Sequence, residues 1–390
     1  MIRIDPFGAE TLPWRSSGRQ DRDVLEYEAS VPGPIAGLSA ARLRPEADLA
    51  IASREAEVAV RLLDQSVGSS LASVEPFLAR SEAIASSKIE RQMTTVDQLA
   101  RAQLGIKAPR SARSVLAAMT GLTTLVKGSM SGGITLPAII EAHRHLMAED
   151  SYEASYAGRL RDMQNWIGGS DYSPRNAAYV PPAPERVAAL MADLVAFANR
   201  EDLDPVTQAA LAHAQFESIH PFTDGNGRVG RSLINAVWRR RGLTTQVTVP
   251  VAAALAGRRE TYFAALTRFR EGEAQPFVRL LGEAVVAAAT QAQESAATLS
   301  RLPGQWRESA SPRAGSAAHK LIDLLVANPV LDAGRAARLT GASEAAAYRA
   351  IGALVEAGVL RPITESRRNQ AWAAGAVLDE ADALIRRLAL

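Results

Sequence analysis

Apolar side chains recur at helical spacing along most of the chain. Between residues 135 and 147, Leu136, Ile139, Ile140, His143 and Leu146 follow an i, i+3, i+4 pattern that is typical of an amphipathic helix. Comparable runs extend over residues 38–68, 74–91, 95 onward, 111–127, 184–199, 205–218, 227–241, 258–272 and 275–300. The pattern therefore predicts a mainly α-helical protein.

Two segments depart from this periodicity. Residues 1–35 contain Pro6, Pro13, Pro32 and Pro34 and are predicted to be an irregular arm. Residues 157–182 alternate apolar and polar positions around Trp166 and Ile167, include the turn signal 168–171 and end in two prolines. We expect this second segment to be a small β-hairpin or structured loop.

Residues 302–312 are rich in Pro, Gly and Ser and indicate a linker before a C-terminal domain. The next segment resembles a winged helix-turn-helix domain, with helices over 317–327, 331–339 and 343–358 and wing strands near 360–363 and 370–372. The predicted organisation is an N-terminal arm with helices over 1–100, a helical core over 101–300, a linker over 301–315 and a winged-helix domain over 316–390.

Composition excludes some kinds of site but does not identify the class of protein. Of the 390 residues, 47% are hydrophobic, and the net charge of +2 is too small to indicate a nucleic-acid partner by itself. The absence of cysteine excludes disulfides, thiolate metal sites and cysteine nucleophiles. Since we see no apolar signal core near residue 1 and no run of roughly 20 apolar residues, we expect a soluble, cytoplasmic protein that does not associate with membranes.

The most informative segment is His220-Pro-Phe-Thr-Asp-Gly-Asn-Gly-Arg-Val-Gly-Arg231. Its glycines imitate the dinucleotide-binding pattern G-x-G-x-x-G, and residues 225–232 nearly match a P-loop. Both motifs require a preceding strand, whereas residues 206–218 are predicted to be helical. We therefore reject both interpretations.

The same segment has the properties of a phosphate site between two helices. Glycine allows close approach of a ligand, and the helix that begins near Asn226 directs free N–H groups and a positive dipole end into the loop. Arg228 and Arg231 offer planar donors for successive phosphates. Asp224 is a hard oxygen ligand that suits Mg²⁺, and His220 can act as a base near neutral pH.

These residues match the Fic family motif, H-x-F-x-[D/E]-G-N-G-R-x-x-R, at every defined position. The resemblance covers roughly residues 95–290 and includes 158–161, 166–169 and 179–182, which look like the family's flap, and 259–263, which look like its nucleotide-side helix. It implies a Fic-type helical core with a small β-hairpin flap. It also implies a protein adenylyltransferase, which moves AMP from ATP onto a Tyr, Thr or Ser hydroxyl.

The resemblance also implies a role for each matched residue. His220 is the base, Asp224 holds Mg²⁺, and Ile167 in the flap (residues 163–182) helps to hold the target protein as an added strand. Phe222 is expected to be buried, and Tyr262 is expected to contact adenine. Arg270 departs from the Asn that the family often has there, which puts the adenine contacts in doubt. The residues implied in nucleotide binding are Gly225, Asn226, Gly227, Arg228, Gly230 and Arg231.

Ser86-Ser-Lys-Ile-Glu90-Arg91 resembles the family's inhibitory motif, [S/T]-x-x-x-E-[G/N], with Arg91 as the one departure. Ser86 and Glu90 are four residues apart in a predicted helix and therefore share a face. Glu90 is expected to pair with Arg231 and so to compete with the γ-phosphate. The alternative is an ordinary solvated glutamate.

Other functions remain open at this stage. A winged helix usually binds DNA through its third helix, which here offers Tyr348 and Arg349, with Arg367, Arg368 and Asn369 in the wing. A DNA-binding regulator with a Fic core is therefore one alternative, and a Fic enzyme with another nucleotide donor is a second. Self-modification and a homodimer are further expectations.

Overall fold

The structure is a computed structural model. It describes residues 2–15, 24–66, 71–130, 132–148, 150, 153–170, 172–364 and 370–389. The chain divides into two compact units. Unit 1 comprises Met1–Glu57, Thr120–Leu243 and Arg259–Glu283, and unit 2 comprises Val58–Met119, Thr244–Arg258 and Ala284–Leu390. These units cut across the predicted domain order, so the predicted domain boundaries stay a prediction.

Helices make up most of the described residues, which confirms the predicted fold class of a mainly α protein. Three helices cross the unit boundaries: α1 (Ala47–Ser66), α4 (Arg110–Gly128) and α11 (Gln275–Ala310). The helices that lie wholly in unit 1 are α5 (Leu136–Met147), α6 (Pro184–Ala198), α7 (Pro205–Ile219), α8 (Asn226–Arg240) and α10 (Arg259–Arg270).

Helix α7 is the centre of unit 1. Every residue from Val206 to Ile219 is buried, and the helix contacts α6, α8 and α10. Its start is set locally, because the side chain of Asp204 accepts a hydrogen bond from the Thr207 N–H and Pro205 occupies the first turn. Its end is set by His220, which adopts the left-handed conformation at the C-cap.

The predicted irregular arm is wrong for residues 8–15 and 24–31, which form an antiparallel pair of strands, β1 (Gly8–Arg15) and β2 (Val24–Val31). Pro13 lies inside β1, opposite Glu26. The Ser30 N–H donates to Val180 O, away from β1, so Ser30 and every second residue of β2 direct their peptide groups outward. Pro13 therefore falls at a position where β2 needs no donor, which explains why the strand tolerates it.

Unit 2 contains α2 (Leu71–Ile89), α3 (Val96–Gln103), α9 (Val251–Gly257), and the C-terminal elements. Helix α3 begins at a capping box between Thr95 and Gln98. The C-terminal elements are α12 (Ala317–Leu324), β3 (Val330–Leu331), α13 (Ala333–Thr340), α14 (Glu344–Glu356), β4 (Leu360–Pro362), β5 (Trp372–Ala374) and α15 (Gly375–Leu388). The strands are antiparallel and lie in the order β3-β5-β4.

Residues 302–310 are not the irregular linker that their composition predicts, because they continue α11 to Ala310. Leu299, Leu302 and Trp306 recur on one side of this helix and are at most 7% exposed. Burial of these side chains outweighs the helix-breaking tendency of Pro303 and Gly304.

The predicted helices and strands of residues 316–372 are present, but Arg367, Arg368 and Asn369 lie outside the described residues. The winged-helix interpretation therefore stays a prediction. Helices α9 and α15 were not expected from the sequence. Of the helices in the described part of the chain, none is long and apolar enough to span a membrane.

Candidate active site

The predicted catalytic histidine lies where α7 ends. His220 is half-buried and has φ 50° and ψ 60°, a left-handed conformation that is uncommon outside glycine. Its N–H donates to Phe216 O at 2.9 Å, and its carbonyl accepts from Arg161 Nε at 2.8 Å. The unusual backbone is thus held from both sides, which directs the chain out of α7 and into the loop.

Arg161 holds this turn from the flap side. It is 3% exposed, its N–H donates to Pro221 O at 2.9 Å, and its guanidinium donates to the carbonyls of Met163, Pro182 and His220. Burial lowers the pKa of Arg161 to about 10. Since even this pKa leaves the group charged near neutral pH, Arg161 is a permanent clamp between the flap and the end of α7.

Asn226 closes the loop that follows His220. Its side-chain Oδ1 accepts from the Phe222 N–H and its Nδ2 donates to Phe222 O, both at 2.8 Å. Asn165 adds a second donor to the same carbonyl at 2.9 Å. The side chain of Asn226, 1% exposed, is therefore committed to the loop, and only its backbone N–H is left to face an anion.

Phe222 anchors the loop, as expected, and its partner is a histidine. The ring is fully buried and stacks on His143, with centroids 3.8 Å apart and planes 4° apart. His143 Nδ1 lies 3.0 Å from the Gly158 N–H and accepts from it, so Nε2 bears the proton and donates to Asp224 O at 3.1 Å. Burial lowers the pKa of His143 to about 4, which keeps this neutral form at physiological pH.

Helix α8 begins directly beneath this loop. Its N-cap, Gly225, has φ 76°, and a Cβ there would lie 2.8 Å from Leu146 Cδ2, so only glycine fits without strain. No side chain caps the helix, and in its first turn the Val229 N–H donates a hydrogen bond to Gly225 O. The amides of residues 226–228 precede that bond, and a helix start of this kind can bind an anion.

Three charged side chains belong to the loop and the first two turns of α8. Arg228 and Arg231 are 4% and 1% exposed, whereas the Asp224 side chain is 52% exposed. One Asp224 oxygen accepts from the Gly225 N–H at 2.6 Å, and the other lies 3.7 Å from Arg228 Nη2. The loop therefore combines an outward carboxylate with two guanidinium groups in a site of low dielectric, where charge interactions are strong.

Gly230, one of the predicted nucleotide contacts, lies where α8 packs against α7. Gly230 is one turn inside α8, and a Cβ there would lie 2.7 Å from Glu217 Oε1 and 2.8 Å from Phe216 Cδ1 of α7. Its missing side chain allows α7 and α8 to pack closely, and its role in nucleotide binding stays a prediction. Gly227 lies in the first turn of α8, where the prediction placed it.

Tyr262 lies in the core of unit 1, and its contact with adenine stays a prediction. It is 1% exposed, its ring packs against Phe277, and its hydroxyl lies 2.9 Å from His213 Nε2. Arg270, the departure from the family pattern, lies over the Tyr179 ring at 3.4 Å from the centroid and donates to Ser218 Oγ at 3.3 Å. Arg270 thus fastens the flap to α7.

The flap is smaller than the predicted hairpin. A single antiparallel bridge joins Ile167 and Tyr179. The Ile167 N–H donates to Tyr179 O and the Ala178 N–H donates to Ile167 O, both at 2.8 Å. Asp171, part of the predicted turn, lies outside the described residues. Tyr179 continues the flap onto α7, because its hydroxyl donates to Ser218 O at 2.7 Å.

The predicted inhibitory pair belongs to unit 2. Ser86 lies in α2 and is 5% exposed, whereas Glu90 is exposed and follows the last residue of that helix, Ile89. Arg91, the departure from the inhibitory motif, has φ 58°. The prediction that Glu90 inhibits the site is not tested by this arrangement.

Three residues that organise the loop were not predicted from the sequence, namely His143, Arg161 and Asn165. His143 did carry a signal, since it falls on the apolar face of α5, where a polar ring must find buried partners. Arg161 and Asn165 lie in the irregular segment, and nothing in their spacing indicates which carbonyls they reach.

Asn226→Ala is expected to lower the free energy of unfolding by about 2–3 kcal/mol, because it removes two hydrogen bonds and leaves a buried N–H unsatisfied. Asn165→Ala removes one donor to a carbonyl that Asn226 still serves, and its expected cost is about 1 kcal/mol. Urea denaturation of the two variants measures both costs. A loss for Asn165→Ala as large as that for Asn226→Ala would contradict this account of the loop.

Comparison with known proteins agrees with this geometry. Residues 133–237 match the family model described as Fic/DOC family. Protein adenylyltransferase fic-1 of Caenorhabditis briggsae is 35% identical over 154 residues, 38% of this chain and 27% of that protein. Protein adenylyltransferase Fic of Drosophila grimshawi is 36% identical over 154 residues, 38% of this chain and 28% of that protein. The match thus spans about a quarter of the length of these curated relatives.

Solved structures show the same fold. A Fic family protein from Desulfovibrio desulfuricans G20 is similar with a TM-score of 0.53 and 21% identity, over 85% of this chain and 97% of that one. Fic-1 (residues 134–508) from C. elegans is similar with a TM-score of 0.50 and 25% identity, over 64% of this chain and 74% of that one. Residues 133–237 are therefore similar to the Fic/DOC family, and the chain shares its fold with a solved Fic family protein.

Proposed function

We propose that the chain transfers AMP from ATP to the hydroxyl group of a Tyr, Thr or Ser residue in a protein. One observation carries the proposal: a single short loop joins His220, at the end of α7, to the uncapped start of α8 with its two buried arginines. The names of the relatives, protein adenylyltransferases, support the same activity.

His220 is the general base of the proposed reaction. Its imidazole takes the proton from the target hydroxyl, and the hydroxyl oxygen forms a bond to the α-phosphorus of ATP. The bond between that phosphorus and the bridging oxygen to the β-phosphate breaks, and pyrophosphate leaves. The clamp from Arg161 to the His220 carbonyl fixes the direction from which the base approaches.

The start of α8 and its arginines bind the phosphates. The N–H groups of residues 226–228 and the helix dipole stabilise negative charge, and Arg228 and Arg231 bind the β- and γ-phosphates. Both guanidinium groups are almost fully buried. They therefore interact with phosphate more strongly than exposed arginines do.

Asp224 fits the role of a magnesium ligand that is shared with the substrate. Its carboxylate is half exposed and lies beside the helix start. No group of three or more His, Asp or Glu side chains able to hold a metal is present in the described part of the chain. This fits Mg²⁺, which proteins usually bind through one or two carboxylates together with substrate phosphates and water. When bound, the ion would offset the charge of the phosphates.

We propose that the flap holds the target chain in an extended form. Ile167 uses its own N–H and C=O within the flap, so the peptide groups on either side of it direct their donors and acceptors outward. A target segment can pair with that edge as an added strand, with the Ile167 side chain as an apolar contact.

We also propose that Glu90 is a brake on this activity. Its carboxylate would occupy the Arg231 guanidinium that the γ-phosphate needs, and Ser86, four residues earlier, lies in α2. ATP then binds weakly or in an unproductive position.

Residues 316–390 are proposed to be a winged-helix domain, in which α14 exposes Tyr348 and Arg349 and the Tyr348 hydroxyl donates to Gln370 Oε1 at 2.7 Å.

The mass of the modified protein tests the function. Incubation of the Glu90→Gly chain with ATP and Mg²⁺ should add one AMP, about 329 Da, to the chain or to a target protein, as expected for nucleotidyl rather than phosphoryl transfer. Incubation with UTP in place of ATP should add nothing. A gain of one phosphate would show phosphoryl transfer, and a gain of UMP in preference to AMP would show a different donor.

A further inference from the structure

Strand β2 has an outer edge that is only partly occupied. The β1–β2 register is regular from Gly8↔Val31 to Arg15↔Val24. Because Ser30 directs its N–H outward to Val180 O at 3.0 Å, Glu28 and Glu26, two and four residues earlier, also direct their N–H and C=O groups outward. Among the described residues, these outward groups of Glu26 and Glu28 make no backbone hydrogen bond.

This open edge faces a groove of about 530 Å³. One wall is Glu26–Ser30 of β2 and the other is Pro174–Val180 of the flap. The bond from Ser30 to Val180 closes one end of the groove, where β2 and the flap already form the start of a ladder. The remaining edge is therefore a template for another extended segment in the same ladder.

The charge on β2 indicates which segment fits. Glu26 and Glu28 are exposed and lie on the same face of β2, the face opposite buried Ala29. Side chains of an added strand on that face would lie directly beside them, where opposite charges stabilise cross-strand pairs. Arg175 on the flap wall contributes the positive charge of the lining.

We propose that this groove binds an extended basic segment of the protein substrate as a strand added to β2, with Lys or Arg beside Glu26 and Glu28. The proposal rests on the proposed function for the identity of the partner. It assigns target docking to an edge of the N-terminal strands, in addition to the edge of the flap beside Ile167.

Hydrogen bonds connect the lining of the groove to the turn at His220. Its lining residue Tyr179 donates to Ser218 O, two residues before His220. Arg161 binds Pro182 O and His220 O with the same guanidinium. A segment held on β2 would therefore be held relative to the base that acts on its neighbouring hydroxyl.

Binding of two short fluorescent peptides to the full chain tests the proposal, measured by anisotropy without ATP. One peptide alternates Lys with Val, and the other has Glu in place of each Lys. We expect the Lys peptide to bind more tightly, and the double variant Glu26→Gln/Glu28→Gln to weaken its binding about fivefold, since the two exposed ion pairs together contribute about 1 kcal/mol. The control Glu46→Gln/Glu55→Gln, at exposed sites on and beside α1, should leave binding unchanged.

A backbone variant tests the ladder separately. Glu28→Pro removes an outward N–H and leaves the β1 ladder intact, as Pro13 does on the opposite strand, and it should weaken the Lys peptide about tenfold. Unchanged unfolding midpoints establish that the variants fold. Equal binding of the two peptides, or full binding by Glu28→Pro, would overturn the proposal. Selective Lys-peptide binding by a chain that transfers no AMP would overturn the proposed function and leave the groove in place.

Discussion

His220→Ala is expected to lower AMP transfer at least about 100-fold, because a positioned general base contributes roughly 10²–10⁴-fold to such reactions. The backbone contacts that shape the turn do not involve the imidazole, since the His220 N–H binds Phe216 O and its carbonyl binds Arg161. The loss should therefore fall on kcat, with little change in ATP affinity. Transfer of labelled AMP under saturating ATP and a thermal-shift titration with ATP measure the two effects.

His145→Ala is the matched control, because His145 is an exposed histidine of α5 whose side chain is 41% accessible. This variant should retain full activity. If His220→Ala keeps more than about a tenth of the wild-type rate while it binds ATP normally, His220 is not the base.

Glu90→Gly is expected to raise AMP transfer about 10- to 100-fold, which corresponds to a coupling free energy of roughly 1.4–2.7 kcal/mol. Removal of the carboxylate leaves Arg231 for the γ-phosphate, so ATP should bind more tightly and in the productive position. The increase should appear at low ATP concentration first, as a lower KM for ATP. Initial rates over a range of ATP concentrations measure it.

A second glutamate at a helix end provides the control for this variant. Glu356 is the exposed last residue of α14, and Glu356→Gly should leave the rate unchanged. Equal rates for Glu90→Gly and the wild-type chain at every ATP concentration would show that Glu90 is an ordinary solvated side chain.

The residues that act within one segment were the easiest to predict. The segment 220–231 contains its own histidine, carboxylate, glycines and arginines, and the helical period on either side places it at the junction of α7 and α8. Asn226 shows the limit of such a prediction, because its side chain turns out to bind Phe222 rather than to face the anion. Local sequence gave its position but not the direction of its hydrogen bonds.

The residues that act across long separations could not be predicted in this way. His143 reaches Asp224 O and Arg161 reaches His220 O, contacts that depend on how helices pack and not on spacing. Burial of apolar side chains also outweighed the local structure that single residues predict. Leu302 and Trp306 keep α11 helical through Pro303, and the ring of Tyr262 is enclosed by core residues.

The position of the transferred label in ATP distinguishes AMP transfer from phosphoryl transfer. The Glu90→Gly chain is incubated with Mg²⁺ and with ATP that is labelled in either the α- or the γ-phosphate, and protein-bound label is counted after denaturation. The account predicts covalent α-label, no γ-label, and neither label when His220→Ala is added. Protein-bound γ-label, or no α-label from a folded chain that binds ATP, would contradict it.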